Sequence, residues 1–306
     1  MGKCVRCGKR GFFLRISKEG LCLDCVKAVA EEKCIAEERR LAEEAAEKKR
    51  IEEELELKRR LEREAYLRRL EEEERQFDEM VANIKHISIG ISPVLAPKIL
   101  VKDQAPITYS TITKKTPRDK LGNFVVIDTE TTGLRPVSCE IIDIAAVRFR
   151  NYVPVEKVSM LLSTKKPIPP EATEINHITD EMVAGQPCFQ QIALALVDFI
   201  GNDNLVGHNL PFDLSFIIRY GADVTKTKRK YYDTLDIARK TIKKARKKYD
   251  KELDYYYTDP ESDGIEDYKL TTLCGWYGIL NPDAHRAESD AIATGLLLKE
   301  LADDRR

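Results

Sequence analysis

Between Gly20 and Gly90 the chain contains no glycine, and no proline precedes Pro93. Such a stretch lacks the two strongest helix breakers. It is also densely charged: residues 31–79 carry 13 basic and 19 acidic side chains, so 32 of 49 positions are ionic. This composition predicts one helix of about 55–60 residues, roughly 85 Å at ~1.5 Å per residue. Opposite charges recur at i,i+4 in the favourable order, at Glu44/Lys48, Glu54/Lys58, Glu56/Arg60, Glu64/Arg68 and Glu71/Arg75. Each such pair adds ~0.2–0.5 kcal/mol to a helix. Ile35, Leu41, Ala45, Ile51, Leu55, Leu61, Leu67 and Leu70 do not keep a 3.5-residue seam, which favours an isolated helix over a coiled-coil dimer. The expected role is a solvated spacer.

Charge separates the remaining segments, although the whole chain of 306 residues has a net charge of only −1. Residues 1–25 hold six basic and two acidic side chains, residues 80–121 seven and two with four prolines, and residues 122–306 hold 24 and 29. The predicted organisation is a Cys4 zinc-binding module over 1–25, the charged helix or coiled coil over 26–84, a proline-containing basic linker over 85–121 and a globular domain over 122–306. No apolar run approaches the ~20 residues needed to span a bilayer. Met1-Gly2-Lys3-Cys4-Val5-Arg6 lacks the apolar core of a secretory signal. A cytoplasmic location without membrane contact is the expectation.

Four of the eight cysteines form the pattern Cys4-x2-Cys7-x14-Cys22-x2-Cys25. Zinc favours four thiolates in tetrahedral geometry, and two intervening residues let both sulfurs of a pair reach one ion from a tight turn. One structural Zn2+ is therefore expected, with all four positions filled by protein. So short a module buries little apolar surface, and metal binding would supply most of its stability. Lys3, Arg6, Lys9, Arg10 and Arg15 permit nucleic-acid contact there, and a protein partner is an equal expectation for the zinc module or the helix.

The second chemical pattern is acidic. Phe124 to Ile127 reads as a buried strand leading into Asp128-Thr129-Glu130-Thr131-Thr132-Gly133-Leu134. Two residues apart on an extended chain, Asp128 and Glu130 project from one face. Like charges so close are costly without a cation between them, and oxygen donors suit magnesium or manganese. Further carboxylates occur in Gly207-His208-Asn209-Leu210-Pro211-Phe212-Asp213, where a helix opens near Pro211, and in His285-Arg286-Ala287-Glu288-Ser289-Asp290-Ala291.

These three blocks, in this order, resemble the three motifs of the DEDD-type, DnaQ-like 3′–5′ exonucleases, in particular the proofreading exonucleases of bacterial replicative DNA polymerases. The resemblance covers about residues 122–304 and leaves the first 121 outside it. It implies that Asp128, Glu130, Asp213 and Asp290 hold two Mg2+ or Mn2+ ions and that His285 is the general base. A histidine five residues before the last aspartate marks one branch of the family and a tyrosine four before it the other; His285 and Arg286 occupy those places, which fits the histidine branch. The resemblance also implies a ribonuclease H-like mixed sheet with flanking helices, and substrate contacts by Thr131, Gly133, Leu134, His208, Asn209 and Phe212. His177 departs from the family's usual pattern and has no assigned role.

The chemistry agrees with that inventory. Two cations ~3.5–4 Å apart can serve both ends of an in-line phosphodiester displacement, and an imidazole can take a proton near neutral pH. Strands are expected over 124–128, 140–149, 153–162 and 205–208, and helices over 190–200, 212–220, 235–247, 270–277 and 287–301, an α/β domain. The expected activity is 3′–5′ hydrolysis of single-stranded or 3′-ended nucleic acid, with DNA favoured; the rivals are an exoribonuclease and a non-catalytic nucleic-acid-binding adaptor. Removal of residues 1–83 is expected to leave turnover on free oligonucleotide intact.

One stretch lies outside the motifs. From Lys226 to Lys251 there are 12 basic residues against three acidic ones, with Tyr231, Tyr232 and Tyr249 among them, and residues 252–267 add seven acidic residues. The basic run can track a phosphate backbone; the plainer expectation is a charged helix facing a solvated acidic loop. Asp233 is expected to end a strand.

Overall fold

A computed structural model describes residues 2–11, 15–100, 106–251, 254–259 and 261–304. The chain divides into two compact units, Met1–Glu73 and Glu74–Arg306. In the first, β1 (Gly2–Lys3) and β2 (Arg10–Gly11) pair antiparallel, and helix α1 (Leu23–Ala82) begins inside the cysteine module, so that Cys25 lies in its first turn. The ion pairs along α1 differ from the expected set. Arg40 meets Glu37 and Glu44, Lys49 meets Glu53, and Arg60 turns to Glu64 instead of Glu56. Exposed side chains have acidic neighbours on both sides, and the choice between them is worth a few tenths of a kcal/mol.

The last turns of α1 belong to the second unit. Phe77, Met80 and Val81 pack against its core, so a cut at residue 83 strips apolar cover from that domain, whereas a cut at 73 does not. The described parts of the following segment touch the domain: β3 (Lys85–His86) joins the sheet, Ile84, Ala96 and Ile112 are buried, and Ala96, Ile99 and Ser110 donate backbone hydrogen bonds to Gln190, Arg219 and Tyr231. Its isoleucines recur between the prolines, and that apolar content is what fastens it down.

The sheet continues with β4 (Phe124–Thr131), β5 (Ile141–Arg150) and β6 (Val153–Leu161). After helices α2 (Pro170–Asn176), α3 (Asp180–Val183) and α4 (Phe189–Ile200) come β7 (Asn204–Gly207), α5 (Leu210–Arg219), β8 (Tyr231–Asp233) and α6 (Thr234–Thr241). A two-stranded ribbon of β9 (Lys247–Asp250) and β10 (Tyr255–Thr258) precedes α7 (Leu270–Tyr277) and α8 (Ala287–Asp304). Strand order is β3-β6-β5-β4-β7-β8. The pairs β4/β5 and β5/β6 are antiparallel, while β4/β7, β7/β8 and β3/β6 are parallel. This is the expected mixed sheet.

Alternation along β4 assigns its two faces. Val125 and Ile127 lie in the core shared with α4 and α5, whereas Phe124 and Val126 lie in the core shared with α6, α7 and α8. Asp128 and Glu130 continue the second series and Thr129 the first. Helix α6 ends at Thr241, not near 247 as expected. Continued as a helix, Lys240, Lys244, Lys247 and Lys251 would share one face, and like charges at i,i+3 and i,i+4 oppose that. The acidic stretch after it is likewise structured where described: Asp259 is buried against Lys248. Residues 252, 253 and 260 of that stretch lie outside the described residues. Among the described residues, no helix is long and apolar enough to cross a membrane.

A close approach fixes α8 on the sheet. A Cβ at Gly295 would stand 2.1 Å from Cζ of Phe149, whose ring stacks on Phe124 with centroids 4.9 Å apart. Gly295→Ala is expected to destabilise the domain by about 1–3 kcal/mol through overpacking, read as a lower midpoint in urea at unchanged slope; an unaltered midpoint would refute this packing.

Candidate active site

Three elements bring the acidic blocks to one end of β4. The strand carries Asp128 and Glu130 there itself. Beside it β7 stops at Gly207, where a Cβ would meet the Leu210 side chain at 2.8 Å and the Ile127 carbonyl at 3.2 Å. The chain then turns through Asn209, with φ of 66°, into α5, and Asp213 lies in its first turn. Thr129, on the α5 side of the sheet, donates its hydroxyl to Asp213 at 2.7 Å. From the opposite side α8 brings Asp290 in its first turn.

Asp128, Glu130, Asp213, His285 and Asp290 line one cavity of about 820 Å³. The ligand atoms of Glu130, His285 and Asp290 lie within 4.8 Å of one another. Asp128 and Asp213 share the cavity but stand outside that tight group. Asp290 accepts hydrogen bonds from the Asn281 amide at 2.6 Å and the His285 backbone N–H at 3.0 Å. His285 itself is exposed and has φ of 67°, so its ring meets solvent from a left-handed backbone position.

Burial raises the proton affinity of every carboxyl in the group. It pushes Glu130 up to about 8 and Asp213 to about 7, the latter against the hydrogen bond from Thr129. Asp128 stands well above the ordinary carboxylate range, through burial first and then the charges of Asp213 and Asp290. Asp290 is raised by burial and partly restored by its two donors. Clustered oxygen donors that resist ionisation in the absence of a counter-charge fit hard divalent cations.

The other expected contacts divide. His208, Asn209 and Phe212 line the cavity, and the lining described does not include Thr131, Gly133 or Leu134. Thr131 instead donates to the Gly133 carbonyl at 2.8 Å, and Leu134 is 82% exposed. His208 is tied into the fold: Nε2 donates to the Tyr268 carbonyl at 2.9 Å, which leaves Nδ1 to accept from the Thr234 hydroxyl at 3.0 Å. Burial holds its pKa down to about 4, so the ring is neutral and joins β7, α6 and the approach to α7. His177 caps α2 in a left-handed conformation. Asp233 ends β8 as expected and accepts from the backbone of Asn209 and Leu235.

One buried acid escaped the motif reading. Asp143 lies opposite Glu130 in the β4/β5 register, is 2% exposed and accepts from Arg286 Nε at 3.0 Å. That pair anchors the loop carrying His285. Its trace in the sequence is a lone aspartate inside the apolar run Ile141-Ile142-Asp143-Ile144.

In the first unit, the sulfurs of Cys4, Cys7, Cys22 and Cys25 lie within 4.8 Å of one another. Cys7 and Cys22 are 3.7 Å apart, close to the ~3.8 Å edge of a tetrahedron built on zinc–sulfur bonds of ~2.3 Å. The donor set fits zinc.

Since the carboxyls titrate above their unfolded values, the native state takes up protons, and stability falls as pH rises from about 4 towards about 8. A bound cation replaces those protons. Magnesium or manganese added to metal-free protein is expected to raise Tm by at least about 2–4 °C at pH 8 and by much less at pH 5; equal shifts at both values would rule out binding at these carboxyls.

Comparison with known proteins gives three findings. The model of a family described as Exonuclease matches residues 125–298. The DNA polymerase III PolC-type of Clostridium perfringens is 34% identical over 177 residues, which is 58% of this chain and 11% of that protein. The DNA polymerase III subunit epsilon of Aquifex aeolicus is 31% identical over 190 residues, 61% of this chain and 85% of that protein. The chain thus spans about a tenth of the PolC-type polymerases it matches. Among solved structures, Exonuclease X in complex with 5′ overhanging duplex DNA matches with 25% identity and a TM-score of 0.42, covering 59% of this chain and 91% of that one. E. coli Exonuclease I in complex with a dT13 oligonucleotide matches with 19% identity and a TM-score of 0.47, covering 59% and 41%.

Proposed function

This chain belongs to the exonuclease family, and from that premise we propose that it is a metal-dependent 3′–5′ exonuclease acting on DNA and releasing nucleoside monophosphates. The observation that carries the reading is the convergence of Asp128, Glu130, Asp213, Asp290 and His285 on one cavity from three separate stretches of chain. The polymerase subunits it resembles motivate DNA as the substrate.

Asp128, Glu130, Asp213 and Asp290 would hold two magnesium or manganese ions. When bound, such ions lower the pKa of an attacking water and neutralise charge on the departing 3′ oxygen. The chain's own residues do the rest. His285 receives the proton on a ring nitrogen as the water attacks phosphorus, and its exposure lets it pass that proton to solvent. The Asp290 carboxylate orients the same residue through its backbone N–H, while the Arg286–Asp143 pair keeps the loop against the sheet. Asp143 is therefore a positioning residue. Phe212, Ile175, Leu235 and Leu270 supply apolar wall to a cavity otherwise lined by charged and polar groups.

The test is hydrolysis of a single-stranded DNA labelled at its 5′ end, with magnesium or manganese present. Asp128→Ala or Asp290→Ala is expected to abolish laddering from the 3′ end, and His285→Ala to reduce turnover by ~10²–10⁴-fold. Unchanged rates in these variants would remove the assignment. Matched DNA and RNA strands in the same assay decide the substrate.

For the first unit the proposal is one structural zinc on Cys4, Cys7, Cys22 and Cys25, supplying fold stability to a module that carries little core. Elemental analysis should find about one zinc per chain, lost in Cys4→Ser/Cys22→Ser, while turnover on free oligonucleotide persists. Full zinc retention in that variant would contradict the site.

A further inference from the structure

The reaction proposed above makes no use of the basic run from Lys226 to Lys251. Half of its twelve cations have partners within the domain. Arg229 donates to the carbonyls of Gly201 and Asp203, Lys226 pairs with Asp223, and Lys240 pairs with Asp236. Lys243 faces Asp263, while Arg246 and Lys248 hold the buried Asp259. Lys228, Lys230, Arg239, Lys244, Lys247 and Lys251 form no ion pair among the described residues, and three of them bear on the cavity. Arg239 and Lys244 line the catalytic cavity, and Lys247 opens β9 three residues further on. An extended chain of three residues spans at most ~10 Å, so the cavity wall passes directly into the ribbon.

Both faces of the ribbon carry a pair of tyrosine rings, and they differ in whether the lysine beside the pair is held by a carboxylate. Tyr256 lies opposite Tyr249, and Thr258 opposite Lys247, so these four side chains share one face. Lys248, Asp250, Tyr255 and Tyr257 share the other, where Lys248 is held by Asp259. On the first face the Tyr249 and Tyr256 rings meet with centroids 4.9 Å apart, and they are 45% and 68% exposed. The Tyr249 hydroxyl donates to Asp254. A pair of exposed aromatic rings beside an uncommitted lysine combines the two elements that bind single strands without regard to sequence: π-faces for bases and cations for phosphates.

We propose that the β9–β10 ribbon is a second nucleic-acid-binding site, on which bases of a single strand stack against Tyr249 and Tyr256 while Lys247, Lys244 and Arg239 receive the backbone leading to the cavity. The inference rests on the exonuclease reading for the direction in which the strand enters. It goes beyond that reading by assigning affinity for long strands to a surface outside the cavity.

The experiment compares the full chain with Tyr249→Ala/Tyr256→Ala on two single-stranded DNA substrates, a trinucleotide that fills only the cavity and a strand of about 20 nucleotides. The double variant is expected to raise KM for the long strand at least about tenfold with kcat unchanged, and to leave trinucleotide turnover as in the parent. Lys247→Gln should weaken the salt dependence of long-strand binding, and Tyr249→Phe/Tyr256→Phe should behave as the parent. An unchanged KM on the long strand overturns the proposal, and so does an equal loss on both substrates, which marks the ribbon as scaffold for the cavity. If the parent cleaves neither substrate, the exonuclease reading fails by itself. Fluorescence anisotropy of the long strand then judges the ribbon: tenfold weaker binding by the double alanine variant upholds the proposal, and equal binding ends it.

Discussion

Burial of carboxyls at one end of β4 is the constraint around which the C-terminal unit is arranged. Asp128, Glu130, Asp213 and Asp290 all carry raised proton affinity, chiefly because burial disfavours their charged forms. A fold that accepts this cost must hold the groups from several directions, and it does so with Thr129 on Asp213 and with Asn281 and the His285 backbone on Asp290. The same burial creates the demand for a counter-charge, so the destabilised arrangement and the affinity for cations are two aspects of one electrostatic fact.

The sheet turns that demand into geometry. With period two, β4 sends Asp128 and Glu130 towards the α8 face and Thr129 towards the α5 face. Helices on opposite sides can then deliver Asp290 and Asp213 to the same strand end, each from its first turn. The contact of Gly295 with Phe149 seats α8 on the sheet, and the Arg286–Asp143 pair fixes the loop just before it. His285 is positioned by both, although its own ring is exposed.

Outside the catalytic end, the chain carries two additions with separate physics. The cysteine module depends on four sulfurs within 4.8 Å of one another, one of them, that of Cys25, carried by the first turn of α1. The ribbon after α6 depends on the opposite feature, cations without an ion pair among the described residues next to exposed tyrosine rings. The first is a closed site and the second an open surface.

Local chemistry was legible in the sequence wherever the signal was local. The absence of glycine and proline specified the long helix, cysteine spacing specified the sulfur cluster, and apolar strands followed by acidic blocks marked β4, α5 and α8 with their carboxylates. Three outcomes belonged to tertiary structure. Asp143 acquires its role from a register partner and from Arg286, 143 residues away, and separations of that length leave no local pattern. The basic run after α6 reads as helix by composition, yet repulsion along one helical face and the buried partner at Asp259 turn it into a ribbon. The supposed linker is fastened by isolated isoleucines whose partners lie on distant strands and helices. Residue type and spacing set which groups could act; only the folded chain, by choosing long-range neighbours, decided which of them meet.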